Sequence, residues 1–278
     1  MSEKIVTTLT GSGPRQVRLR IRHGQGPAVL LMSGAAQTSG FWRPVIEELP
    51  GRLVASFDRP GMGGTPWPGH LPTLAEEVET AVGLVRRLGE PVVLAAHSMA
   101  AFHAEALIRE HPLLVSGLVL VDPSVEWQTR SPKVQGTGLA RTVRAAAGSG
   151  LAGLGELCMT IETLLQTTWS AARLRQYLRV HRVKDVYGDP DSLAMATAEV
   201  MAYSRQAWDL MDVRTDKPWP GVPTIVLSAE NSHAEQEAER QRRLAVLLGA
   251  ELRTVPGSRH LMMLDAPQAI AEAVVDLS

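Results

Sequence analysis

A single cysteine, Cys158, in 278 residues excludes an internal disulfide and fits a reducing compartment. It lies in a helical pattern and reads as a packing residue. Lysine is confined to Lys4, Lys133, Lys184 and Lys217 beside abundant arginine, a coding bias rather than a functional signal. A formal net charge of -1 leaves no overall electrostatic footprint for nucleic acid or an anionic membrane. No apolar run is long enough to span a bilayer, and the first residues hold no basic segment leading into an apolar one, so a cytoplasmic location is expected. Repeats and low-complexity tracts are missing too, which excludes a solenoid. Glu230, His233 and Glu235 are the nearest approach to a metal-ligand set, and no second cluster supports them. Neither a metal nor an organic cofactor is expected.

What is present is a globular composition, 45% apolar and 21% charged, enough for one large domain with an insertion or two small ones. Strand-like runs fall at Val17–Ile21, Ala28–Ser33, Leu53–Asp58, Val92–His97, Gly117–Val121, Thr224–Ala229 and Glu251–Val255. Helical patterns separate most of them. Thr73-Leu74-Ala75-Glu76 has the capping-box spacing and opens a helix that runs to Gly89. Met99–His111, Ala234–Gly249 and Pro267–Leu277 are further helices. The alternation predicts an α/β fold, a mostly parallel sheet with helices on both faces, which binds ligands at the carboxyl ends of its strands. Between about Pro123 and Trp219 the alternation breaks. Helical periodicity over Gly138–Ala147, Leu151–Trp169, Ala171–Val183 and Ser192–Met211, with no convincing strand, predicts an all-helical insertion. Ser131-Pro132 marks its entry and Pro218-Trp219-Pro220-Gly221 its exit. The expected division is a core of 1–123 and 219–278 with a helical cap of 124–218.

The run Val92-Val93-Leu94-Ala95 leads into Ala96-His97-Ser98-Met99-Ala100 and then a helix, which places Ser98 at a strand-to-helix turn. Such a turn lifts the hydroxyl above the sheet edge and aims the Met99 N–H at a developing oxyanion. Four more segments lie on either side of it along the chain. Leu30-Leu31-Met32-Ser33-Gly34-Ala35-Ala36 is a strand and glycine loop, followed by Phe41-Trp42-Arg43-Pro44. Phe57-Asp58-Arg59-Pro60-Gly61-Met62-Gly63-Gly64-Thr65 is a glycine-rich turn, and the helical insertion comes next. Pro256-Gly257-Ser258-Arg259-His260 lies near the end, seven residues before Pro267.

In these segments the chain resembles the alpha/beta-hydrolase family over nearly its whole length, in the serine-nucleophile branch with a helical cap. The elbow departs from G-x-S-x-G by one methyl at each of Ala96 and Ala100, and Ser33 stands where the family usually has histidine. The resemblance implies Ser98 as nucleophile, His260 as general base, and the Met99 and Ala35 N–H groups as the oxyanion hole. Asp58 and Arg59 belong to a fold marker and receive no catalytic role. The family's usual acid position is Ser232 here, and a hydroxyl cannot hold an imidazolium as a carboxylate does. Asp122, after the strand that follows the nucleophile, is the preferred acid; Glu230 reaching in is the alternative, and a dyad without an acid is the third reading.

The implied activity is hydrolysis of a carboxylic ester of a small to medium, largely apolar molecule through an acyl-enzyme. A C–C bond hydrolase or thioesterase would use the same residues, as would a cofactor-independent oxygenase or lyase on the same scaffold. A catalytically silent binding protein is the rival from another class. Trp127, His181 and Trp208 are the candidate substrate-binding residues, with Tyr187 and Met159 among the further apolar supply of the insertion. His97 stands inside the elbow with its side chain leaving on the side opposite a neighbour's and receives no catalytic role, and His103, on the following helix, is expected to pack or to line a pocket edge. The partner is a small-molecule substrate, with neither nucleic acid nor membrane, acting on a monomer or homodimer.

Overall fold

The computed structural model describes residues 1–89, 91–127, 136–231 and 235–278. The chain opens with strands β1 (Ser2–Thr10), β2 (Gly13–Arg22) and β3 (Gln25–Met32), then helix α1 (Arg43–Glu47) and β4 (Arg52–Asp58). Helix α2 (Leu74–Leu88), β5 (Val92–His97), α3 (Ala100–Glu110) and β6 (Val115–Val121) follow. Five helices come next: α4 (Gly138–Ala146), α5 (Ala152–Leu165), α6 (Ala171–Val180), α7 (Val183–Tyr187) and α8 (Pro190–Asp216). The chain then returns to the sheet with β7 (Thr224–Ala229), α9 (Glu235–Leu248), β8 (Glu251–Val255), α10 (Met262–Asp265) and α11 (Pro267–Asp276).

The strands form one sheet of order β1-β2-β4-β3-β5-β6-β7-β8, antiparallel across β1, β2 and β4 and parallel from β4 to β8. Strand β1 was not expected from the sequence. It is an edge strand whose side chains are mostly exposed, so it carries no apolar run. In the middle of the sheet, β5 and β7 are buried at every residue, as a sheet covered on both faces requires. Alternation assigns the faces. Leu30, Met32, Leu94 and Ala96 pack with Val78, Leu107 and Leu210 on one side, while Val29, Leu31, Val93 and Ala95 meet Trp42, Ile46, Met262 and Ile270 on the other.

Helix α2 starts with the predicted capping box: the Thr73 hydroxyl accepts from the Glu76 N–H and the Glu76 carboxylate accepts from the Thr73 N–H. Among the described residues between 123 and 219 there is no strand. Gly150, at φ 98°, breaks the helical path between α4 and α5. The expected entry at Ser131-Pro132 lies outside the described residues. The chain leaves β3 for β4 on one side and returns to β5 on the other, so the ends of β3 and β5 flank the crevice where the strand order reverses.

Candidate active site

Ser98 follows β5 with φ 53°, a left-handed conformation that costs a non-glycine residue roughly 1–2 kcal/mol. The surroundings over-determine it. Its N–H donates to Val121 O at 3.2 Å, and its carbonyl accepts from Ala101 N at 3.0 Å and Ser124 N at 3.1 Å. Ala96 and Ala100 are wholly buried on either side, so the turn closes with a methyl at each position.

Register sets the neighbours. His97 pairs with Val121 on β6, which brings the next residue, Asp122, beside Ser98. Asp122 is wholly buried at φ 43°, its Oδ1 accepting from Ala229 N at 3.0 Å and from Gln241 Nε2 at 3.2 Å. Its Oδ2 lies 2.6 Å from His260 Nδ1, and His260 Nε2 lies 3.0 Å from Ser98 Oγ. Because a carboxylate only accepts, Nδ1 carries the proton and Nε2 faces the serine hydroxyl as an acceptor. Glu230 is elsewhere: it is exposed, and its carboxylate accepts from Gly257 N at 2.9 Å. Ser232 and His233 lie outside the described residues. Ser124 Oγ, which the sequence did not single out, stands 3.3 Å from Ser98 Oγ.

The loop after β3 closes the other side. A Cβ on Gly34 would stand 2.9 Å from both His97 Nδ1 and Ser98 Cβ, so only glycine lets this backbone approach the serine. Ala35 and Ser98 both line the cavity. Among the described residues the amides of Ala35 and Met99 have no backbone acceptor outside the regular elements.

His97, to which sequence reading gave no catalytic role, is wholly buried beside His260. Its Nε2 meets the His260 carbonyl at 2.8 Å and its Nδ1 meets the Gln37 side-chain amide at 2.8 Å. Burial first, and the neighbouring His260 second, hold its pKa down to about 3. The ring is therefore neutral, and its single proton can go to only one of these two oxygens, the His260 carbonyl or Gln37 Oε1.

The cavity over Ser98 has a volume of about 130 Å³. Its walls include Phe41, Met159, Val200 and Leu261, with Glu162 and Tyr187 among the polar-edged members. Trp127, His181 and Trp208, the candidate substrate-binding residues, are not part of this lining. Trp127 sits under the guanidinium groups of Arg214 at 4.7 Å and Arg243 at 5.1 Å. His181 packs against Tyr177 and lines a groove with Arg43 and Arg173. Trp208 lies eight residues beyond Val200 on α8, about 12 Å further along and about 80° around the helix. Of the other insertion residues, Tyr187 and Met159 do line the cavity. No group of three His, Cys, Asp or Glu suited to a metal occurs among the described residues. No helix among them is long and apolar enough to cross a membrane.

Comparison with known proteins agrees with this architecture. A pimeloyl-[acyl-carrier protein] methyl ester esterase of Aeromonas hydrophila is 32% identical over 124 residues, 41% of this chain and 46% of that protein. The lipase LipV of Mycobacterium tuberculosis is 34% identical over 107 residues, 37% of this chain and 41% of that protein. The chain thus aligns with less than half the length of these curated relatives. A thermophilic esterase from Thermogutta terrifontis shares the fold with a TM-score of 0.69 at 21% identity, over 99% of this chain and 97% of its own. The family model described as "Alpha/beta hydrolase family" matches residues 29–273, and the chain belongs to that family.

Proposed function

We propose that this protein is a serine hydrolase that cleaves the carboxylic ester of a small molecule through an acyl-enzyme. The observation that carries the reading is the continuous hydrogen-bonded series Ser98 Oγ–His260 Nε2, His260 Nδ1–Asp122 Oδ2, at 3.0 and 2.6 Å. Ser98 Oγ bonds to the ester carbonyl carbon while its proton passes to His260 Nε2. The carbonyl oxygen gathers negative charge, and the Met99 and Ala35 N–H groups stabilise it. Collapse breaks the ester C–O bond, and the leaving alcohol takes the proton from His260. Water then repeats the sequence: it loses a proton to His260, attacks the acyl carbon, and releases the acid and the Ser98 hydroxyl. Asp122 keeps the proton on Nδ1 and offsets the imidazolium charge in both halves.

The small cavity favours a short acyl group, and the helices of residues 124–218 act as a cap over it. The relatives named as an esterase and a lipase support ester cleavage.

Labelling with a fluorophosphonate, followed by turnover of p-nitrophenyl acetate, butyrate and dodecanoate, tests the reading. The expected result is labelling of wild type but not of Ser98→Ala, with kcat/KM falling toward the dodecanoate. A folded wild type that resists the label would make the protein a silent binder. Labelling without ester turnover would point to a thioester or C–C bond substrate.

A further inference from the structure

Glu199 lies on α8, inside the helical insertion, yet its carboxylate is wholly buried against the loop that follows β3. Its Oε1 meets Arg59 Nε at 2.5 Å and its Oε2 meets Arg59 Nη2 at 3.0 Å, a two-pronged ion pair. The pair does more than join two elements. Arg59 also donates to the carbonyls of Ser33 and Gly34, the latter at 2.6 Å, and Glu199 Oε2 accepts the Ala36 N–H at 2.5 Å. Ala36 is itself held at φ 57°, a conformation alanine seldom adopts unaided. Three of the polar backbone groups of Ser33-Gly34-Ala35-Ala36 are thus tied to one buried pair, on both sides of the Ala35 amide.

We propose that Glu199, held by Arg59, is a positioning residue for the Ala35 oxyanion donor, so that docking of α8 and assembly of the oxyanion site are one event. The inference rests on the acyl-enzyme reading above. It assigns the insertion a part in the chemistry, separate from enclosing the substrate. A loop freed from Glu199 still binds ester but presents Ala35 N–H less well to the transition state, so kcat falls and KM does not.

An internal control exists. Glu105, on α3, forms a second buried set of ion pairs that also holds α8, with Arg214 Nη2 at 2.7 Å and Arg109 Nη2 at 2.9 Å, and these contacts do not involve the Ser33–Ala36 loop. A pair that merely docks α8 would behave as Glu105 does.

Steady-state kinetics and thermal melts of Glu199→Gln, Glu199→Asp and Glu105→Gln decide the matter. Glu199→Gln keeps the shape and loses the charge, while Glu199→Asp keeps the charge on Arg59 and withdraws from Ala36. The expected loss in kcat approaches the about 10²–10³ seen when an oxyanion donor is removed, with KM within about threefold. Glu105→Gln is expected to lower the melting temperature with kcat changed by less than about threefold. Kinetic parity of both Glu199 variants with wild type overturns the proposal, as does a loss carried by KM or matched by Glu105→Gln. Failure of both Glu199 variants to fold also overturns it, because the pair would then belong to the fold alone. An inert wild type that resists fluorophosphonate is a separate result, the failure of the acyl-enzyme reading.

Discussion

Gly34→Ala adds one methyl group at the tightest point of the site. The new Cβ would meet His97 Nδ1 and Ser98 Cβ at 2.9 Å and Gln37 Oε1 at 3.2 Å, where ordinary contact begins at 3.4 Å. Something must yield by roughly half an ångström. The loop resists, because Arg59 holds the Ser33 and Gly34 carbonyls. His97 is pinned at both ring nitrogens, and Ser98 is tied to Val121 O. Overpacking of this kind costs about 1–3 kcal/mol. For a chain of this size that is a fall in melting temperature of about 2–4 °C per kcal/mol. Function suffers more, because any displacement of His97 passes to the His260 carbonyl. A misplacement near 1 Å lowers turnover about a hundredfold, so a loss of about ten- to a hundredfold in kcat is expected. Calorimetry and p-nitrophenyl acetate kinetics on the two proteins give both numbers. Native melting together with full turnover would refute the reasoning, since it would mean that the loop is slack.

Asp122→Asn should lower kcat by about 10⁴, whereas Glu230→Gln stays within a few-fold of wild type; ester kinetics with the inverse pattern would move the acid to Glu230. His97 and His103 are buried and neutral, burial holding their pKa values down to about 3 and about 4. The unfolded chain protonates both below about pH 6.5, so their stabilisation is complete above that pH and is lost as pH falls toward 4, at about 1.4 kcal/mol per pH unit for each. His103→Gln should therefore flatten the fall in melting temperature between pH 6.5 and 5, and an unchanged slope would contradict the assignment. Thr73→Ala removes the capping box of α2 and should cost about 1 kcal/mol by denaturant titration without altering kcat/KM.

The parts of the candidate site that were legible in the sequence are those with local signatures. Ser98 stands at the end of an apolar run among small residues, and His260 has a glycine before it and a proline seven residues on. Asp122 was reached through the family resemblance, as the residue after the strand that follows the nucleophile, and the register of that strand sets it beside Ser98. Strand β1 escaped notice because an exposed edge strand has no apolar run to announce it. The cavity walls were illegible for a different reason. Periodicity shows that 192–211 is helical but not which of its faces looks into the crevice, so Trp208 was chosen where Val200 lines the cavity. Glu199 and Arg59 are 140 residues apart, and nothing near either one announces the other.

The most direct test of the central claim is rapid-quench mass spectrometry of the enzyme turning over p-nitrophenyl butyrate. Wild type should accumulate a butyryl group on the peptide that contains Ser98, slow to clear in Asp122→Asn and absent in Ser98→Ala. Ester turnover with no acylated Ser98 peptide at any quench time, or an undiminished rate in Ser98→Ala, would contradict the account.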